Sequence, residues 1–95
     1  MSYQVIFSDT AQNLARTAGP ELRKGFKKKL DQIKAMPSIG KPLLRKLAGY
    51  YSLRTKKLRI IYKVITDRKV LEVHYLGPRR DLWEIVYQLK SSGLK

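Results

Sequence analysis

Apolar residues change their spacing along this chain, and the changes mark its elements. Tyr3, Val5 and Phe7 alternate onto one face of a short first strand. Asp9 with Gln12 forms a capping pair for a short helix carrying Ala11, Leu14, Ala15 and Ala18. Gly19 ends that helix, and Pro20 suits the first turn of the next. In the second helix, which is predicted to run to about Met36, Leu22, Phe26, Leu30 and Ile33 fall on one core-facing stripe. Arg23, Lys24, Lys27, Lys28 and Lys34 occupy much of the remaining surface.

From Pro37 to Pro42 the chain reads as a loop, and Leu43–Leu47 as a short strand before a turn at Ala48-Gly49. Strand spacing then dominates Tyr51–Thr55, Leu58–Thr66 and Val70–Leu76, with two-residue turns at Lys56-Lys57 and Asp67-Arg68. This register pairs Lys63 with Glu72 and Ile61 with His74. It gathers Leu53, Leu58, Ile60, Tyr62, Val64, Leu71, Val73 and Tyr75 on one face. Ser52, Arg54, Arg59, Ile61, Lys63, Glu72 and His74 take the other. After Gly77-Pro78, Asp81 and Glu84 cap a last helix to about Ser91, with Leu82, Ile85, Val86 and Leu89 on its buried side. The expected fold is α+β: a small curved antiparallel sheet, two N-terminal helices on one face, and a short C-terminal helix, all in a single domain over 1–95.

The same register sets Arg54 directly opposite Arg59. Opposed like charges weaken a sheet, so folding gives no reason to choose them, whereas a polyanion held between them removes the penalty. Composition points the same way. With 21 Lys and Arg against 7 Asp and Glu, the net charge is +14, which suits a phosphate backbone, an acidic protein or an anionic membrane surface. An apolar share of 43% separates the chain from a disordered basic tail. It has no cysteine, which excludes disulfides and thiolate metal sites. With one histidine and scattered carboxylates, no metal-ligand cluster or other cofactor is expected. No apolar run reaches the roughly 18 residues of a membrane span, and the N-terminus lacks the pattern of a signal peptide. A cytoplasmic protein without a membrane partner is the expectation.

The residues Leu53-Arg54, then Leu58-Arg59-Ile60-Ile61-Tyr62, then Leu76-Gly77-Pro78-Arg79-Arg80-Asp81-Leu82-Trp83 resemble the RelE/ParE superfamily of toxins from toxin–antitoxin systems. Lys46-Leu47-Ala48-Gly49 is similar to a lysine–leucine–x–glycine stretch that precedes the hairpin in that family. The resemblance implies a metal-independent endoribonuclease that cuts mRNA on the ribosome. The ribose 2′-hydroxyl attacks the neighbouring phosphate, leaving a 2′,3′-cyclic phosphate and a 5′-hydroxyl. It implies an acidic antitoxin as partner, with ribosome and mRNA as targets.

Arg59 and Arg79 match positions the family uses around the phosphate, and Arg54 matches the second of two basic positions on the hairpin's first strand; all three are candidate catalytic residues, since the arginine fork grips two phosphate oxygens. Two family positions differ. A lysine is replaced by Ser52, and a tyrosine of the terminal helix by Trp83; Tyr87, one turn later, can stand in for the phenol. Trp83 and Tyr87 are candidates for base stacking, and Lys46, Lys56 and Lys57 for RNA contact. His74 and Tyr87 are candidates for acid–base work. Each has a plainer reading: a solvated basic face for the arginines and lysines, a packed aromatic pair for Trp83 and Tyr87. Two other functions fit the same chain: a ParE-like inhibitor of DNA gyrase, and a non-catalytic basic RNA-binding module.

Overall fold

The computed structural model describes residues 3–44 and 47–78, together with Ile85 and Tyr87. The chain opens with strand β1 (Gln4–Phe7), whose Val5 and Phe7 turn inward while Gln4 and Ile6 face out. Helix α1 (Asp9–Thr17) starts at Asp9 itself, the residue expected to cap it. Ser8 is the N-cap, its hydroxyl accepting the Ala11 N–H at 3.1 Å, and Asp9 becomes a first-turn acid that complements the helix dipole. Gly19 and Pro20 open α2 (Pro20–Ala35), where Phe26 and Ile33 are buried and Leu22 and Leu30 half-buried.

The segment after α2 holds a short 3-10 turn (Pro37–Ile39) and then strand β2 (Lys41–Pro42). The strand therefore lies earlier than the predicted Leu43–Leu47. Pro42 has no N–H to give, which suits an edge, and the pairing is extended by the Leu43 N–H, which donates to the Tyr50 carbonyl at 2.8 Å. A buried phenol fastens this segment. The Tyr62 hydroxyl donates to the Pro37 carbonyl at 2.7 Å and accepts the Gly40 N–H at 2.9 Å. Gly40 must be glycine for this approach, because a Cβ there would come within 2.7 Å of the hydroxyl.

Strands β3 (Tyr50–Arg54), β4 (Leu58–Ile65) and β5 (Val70–Pro78) complete a five-stranded sheet of order β1-β5-β4-β3-β2. Neighbours from β5 to β2 are antiparallel, and β1 adds to β5 in parallel, so the sheet is mixed at that edge. The expected hairpin registers hold at both turns: Arg54 pairs with Arg59, and Lys63 with Glu72.

Beyond Tyr62–Val73 the β4–β5 ladder slips, because Ile61 pairs with Tyr75 instead of His74. His74 is the extra residue of a β-bulge, and it reverses the alternation that follows. Leu76, not Tyr75, takes the core position opposite Ile60.

The sheet consequently has a cluster on each face. On one face, Ala11 of α1 and Phe26 and Ile33 of α2 pack against Leu58, Ile60, Tyr62, Leu71, Val73 and Leu76 of the sheet. On the other face, expected to be largely polar, Tyr50, Ile61 and Tyr75 pack with Leu47 and Ile85. Ile85 and Tyr87 are helical, with Ile85 buried and Tyr87 exposed. The remainder of the predicted C-terminal helix lies outside the described residues.

Candidate functional site

The β3–β4 hairpin builds the site. Thr55 closes it: its N–H donates to the Leu58 carbonyl at 2.8 Å, and its hydroxyl accepts the Lys57 and Leu58 N–H groups, each at 3.2 Å. Lys56 and Lys57 are left exposed at the tip. One residue inward on each strand stand Arg54 and Arg59, cross-strand partners on the sheet face away from α1 and α2.

The two are not equivalent, although both were expected to project outward. Arg54 is exposed, whereas Arg59 retains only 6% of its accessible surface. The Arg59 Nη1 donates to the Ser52 hydroxyl at 2.7 Å, and Ser52 is itself 6% exposed. Ser52 lies two residues before Arg54 and so shares its face, one step along the ladder from Arg59. In sequence Ser52 reads as the absence of a lysine. Its position as the hydroxyl acceptor of a buried guanidinium was legible only as a diagonal neighbour in the hairpin register.

A second polar group sits further along the same face. Tyr50 pairs with Lys63 and Lys63 with Glu72. The Lys63 Nζ stands 5.6 Å from the Tyr50 ring centre, and the His74 ring meets Tyr50 edge-on at 5.2 Å. His74 Nε2 lies 3.3 Å from Glu72 Oε1. Burial, then the Glu72 charge, raises the Tyr50 phenol above its usual range. His74 lies three positions of β5 before Gly77, the cross-strand partner of Arg59, a span of about 10 Å at strand spacing. The Ile61–Tyr75 pair lies between, within the buried cluster that includes Leu47 and Ile85. The structure thus does not bring His74 to the arginines.

Tyr87 is helical and 73% exposed, a surface a base can reach. Lys46, Arg79 and Trp83 lie outside the described residues. Among the described residues, no group of three or more His, Cys, Asp or Glu is placed to hold a metal ion, and no helix is long and apolar enough to cross a membrane.

A family model described as the ParE toxin of type II toxin–antitoxin systems, parDE, matches residues 3–83, which takes in both helices and the whole sheet. The chain belongs to the ParE toxin family. Solved structures similar to the toxin carry the same fold. The toxin–antitoxin complex RelBE2 from Mycobacterium tuberculosis aligns at 25% identity and a TM-score of 0.76, over 83% of the toxin and 100% of that chain. The E. coli toxin RelE, solved in the free state as a double arginine mutant, aligns at 28% identity and a TM-score of 0.76, over 99% of the toxin and 100% of that chain. The intact E. coli RelBE toxin–antitoxin complex gives 29% identity and a TM-score of 0.70, over 84% and 100%. No curated protein matches the sequence. The superfamily resemblance seen in the hairpin and the Leu76–Trp83 stretch is borne out.

On the toxin's opposite face, a groove of about 350 Å³ runs between β1 and α2. Val5, Phe7, Phe26 and Leu30 line it with apolar surface, and Arg23, Lys27, Lys34 and Asp31 stand at it as well. The molecule therefore offers a cationic hairpin on one face and an apolar groove with basic neighbours on the other.

Proposed function

We propose that the toxin blocks translation by cutting mRNA on the ribosome, with the scissile ribose–phosphate link held at the Arg54–Arg59 hairpin. The observation that carries this reading is the pairing of the two arginines on one face, one exposed and one anchored, beside two exposed lysines. Strand scission by the ribose 2′-hydroxyl requires no cofactor. Negative charge grows on the non-bridging oxygens of the phosphorane, and fixed guanidinium groups stabilise it. Arg54 meets the phosphate, and Arg59 supplies charge from beneath it. Arg79 joins them in this reading, Lys46, Lys56 and Lys57 hold the flanking backbone, and Trp83 and Tyr87 offer stacking surfaces. Tyr87 also carries a phenol for proton transfer; His74 has no part.

The partner in this proposal is an acidic antitoxin. A net charge of +14 favours such a protein, and the RelBE relatives were solved with their antitoxins. One stretch of the antitoxin covers the arginines. An amphipathic stretch bearing carboxylates suits the Phe7–Leu30 groove with its basic neighbours.

The ParE description of the family model favours a second reading, inhibition of DNA gyrase. Mapping transcript 5′ ends after induction separates the two. Cuts in frame with translated codons support mRNA cleavage. Intact transcripts with broken DNA and an SOS response support gyrase. Neither effect, with salt-sensitive RNA binding alone, supports a plain RNA-binding module.

A further inference from the structure

We infer that Lys41 is a third phosphate-binding cation of the RNA site, holding the link next to the scissile one. Lys41, Arg54 and Arg59 then form a row that steps across β2, β3 and β4. The inference rests on the mRNA-cleaving reading, which places the scissile link at the two arginines.

The register turns Lys41 toward them. Lys41 pairs directly with Ser52 on the β2–β3 ladder, and directly paired residues share a face of the sheet. Ser52 lies on the arginine face, where its hydroxyl accepts the Arg59 Nη1 N–H. The preceding residue gives the same orientation. A Cβ on Gly40 would meet Tyr62 and Tyr51, which pack on the helix-covered face, and alternation points Lys41 the other way. Arg54 stands two residues beyond Ser52 on β3, which makes Lys41 its diagonal neighbour, about 7–8 Å away and within reach of long side chains. Arg59 lies on the far side of Arg54, about 12 Å from Lys41 at strand spacings.

Charge and exposure define the ligand. Lys41 is exposed and, among the described residues, makes no ion pair. Glu72 on β5 meets Lys63 and His74 instead. Neighbouring like charges repel across a sheet, and a polyanion running over the strands relieves the repulsion at every member of the row. The two arginines share one link, so the diagonal offset of Lys41 assigns it the adjoining phosphate. A compact ammonium on a flexible stem suits that contact, which adds affinity without reading a base.

The test measures affinity for ribosomes programmed with a synthetic mRNA whose codon riboses are 2′-deoxy, so that it binds without being cut. A neutral methylphosphonate is moved one link at a time through the codon, and the cut link is mapped separately on the all-ribose message. The toxins compared are wild type, Lys41→Ala, Lys41→Arg and Lys69→Gly, the last removing one positive charge at the β4–β5 turn, away from the β3–β4 hairpin. Lys41→Ala is expected to bind about five-fold more weakly at low salt, with the slope of log K against log salt reduced by about 0.7, and Lys41→Arg to recover most of the affinity. Lys69→Gly should stay within about two-fold of wild type. One methylphosphonate beside the cut link should weaken wild type about five-fold and Lys41→Ala less than two-fold, a coupling that general loss of structure does not produce.

A scan in which no link couples to Lys41, or only the cut link does, overturns the assignment. Equal weakening by Lys69→Gly overturns it as well, in favour of net charge. Cutting of the all-ribose mRNA without coupling removes Lys41 from the row and leaves the cleavage reading standing. Coupling to a single link on mRNA that wild type leaves intact overturns the cleavage reading and upholds Lys41 as a phosphate contact.

Discussion

Arg54 and Arg59 face each other across the β3–β4 ladder, Arg54 exposed and Arg59 with 6% of its surface accessible. Arg54→Ala removes an opposed like charge without opening the core. Its stability is expected to stay within about 0.5 kcal/mol of wild type or to rise slightly. Ribosome affinity should fall about ten-fold at low salt, with the slope of log K against log salt reduced by about one phosphate contact. Thermal melts and a salt series of binding measurements check both.

His74 is expected to be dispensable for the reaction. It sits at the bulge with Tyr50 and Glu72, beyond the Ile61–Tyr75 pair from the arginines. His74→Ala should leave cleavage within about two-fold of wild type, and the pH–rate profile between pH 5 and 8 unchanged. A lost limb of that profile would return His74 to the mechanism.

The Tyr62 hydroxyl fastens the Pro37–Gly40 segment, so Tyr62→Phe leaves the Gly40 N–H and the Pro37 carbonyl without it. The expected cost is about 1–3 kcal/mol by denaturant unfolding. Burial raises the Tyr62 phenol above its usual value of 10.0, opposed by the Gly40 hydrogen bond and assisted by Tyr51. The folded protein therefore holds Tyr62 protonated more strongly than the unfolded chain does. This contribution is complete below about pH 10 and is lost as pH rises through the raised folded value. Tyr62→Phe should lack that part of the alkaline decline, while the part due to Tyr50 remains.

Lys69 closes the Thr66–Lys69 turn with φ 54, a left-handed conformation that glycine adopts without strain. Lys69→Gly is expected to raise stability by about 0.5–1 kcal/mol, the relief of strain exceeding the entropy cost of glycine. The shift in melting temperature reads it directly.

Lys27 and Lys34 stand at the groove between β1 and α2. Reversing both charges, Lys27→Glu with Lys34→Glu, should weaken binding of the acidic antitoxin about ten-fold at low salt and less at high salt. Calorimetric titration at two ionic strengths tests the groove as an antitoxin contact. Unchanged affinity would remove it from that interface.

The sequence made the hairpin registers legible because Lys56-Lys57 and Asp67-Arg68 each set a countable two-residue turn between alternating strands. The bulge at His74 was not legible. Apolar Tyr75 and Leu76 are adjacent, so either can fill the inward position, and no glycine marks the slip. The start of α1 moved by one residue because Ser8 and Asp9 are both competent caps. The arginine pair was readable from register alone. The hydrogen bond from Arg59 to Ser52 was not, because it is a diagonal contact on a face that was expected to be largely polar and that carries a second apolar cluster.

Cleavage of defined mRNA by purified toxin on programmed ribosomes tests the central claim most directly, with both new ends characterised chemically. The account predicts a 2′,3′-cyclic phosphate and a 5′-hydroxyl in frame with a translated codon, with the rate falling at least 100-fold in a folded Arg54→Ala/Arg59→Ala double variant. Intact mRNA under conditions where the same preparation arrests gyrase, or full cleavage by the folded double variant, would contradict it.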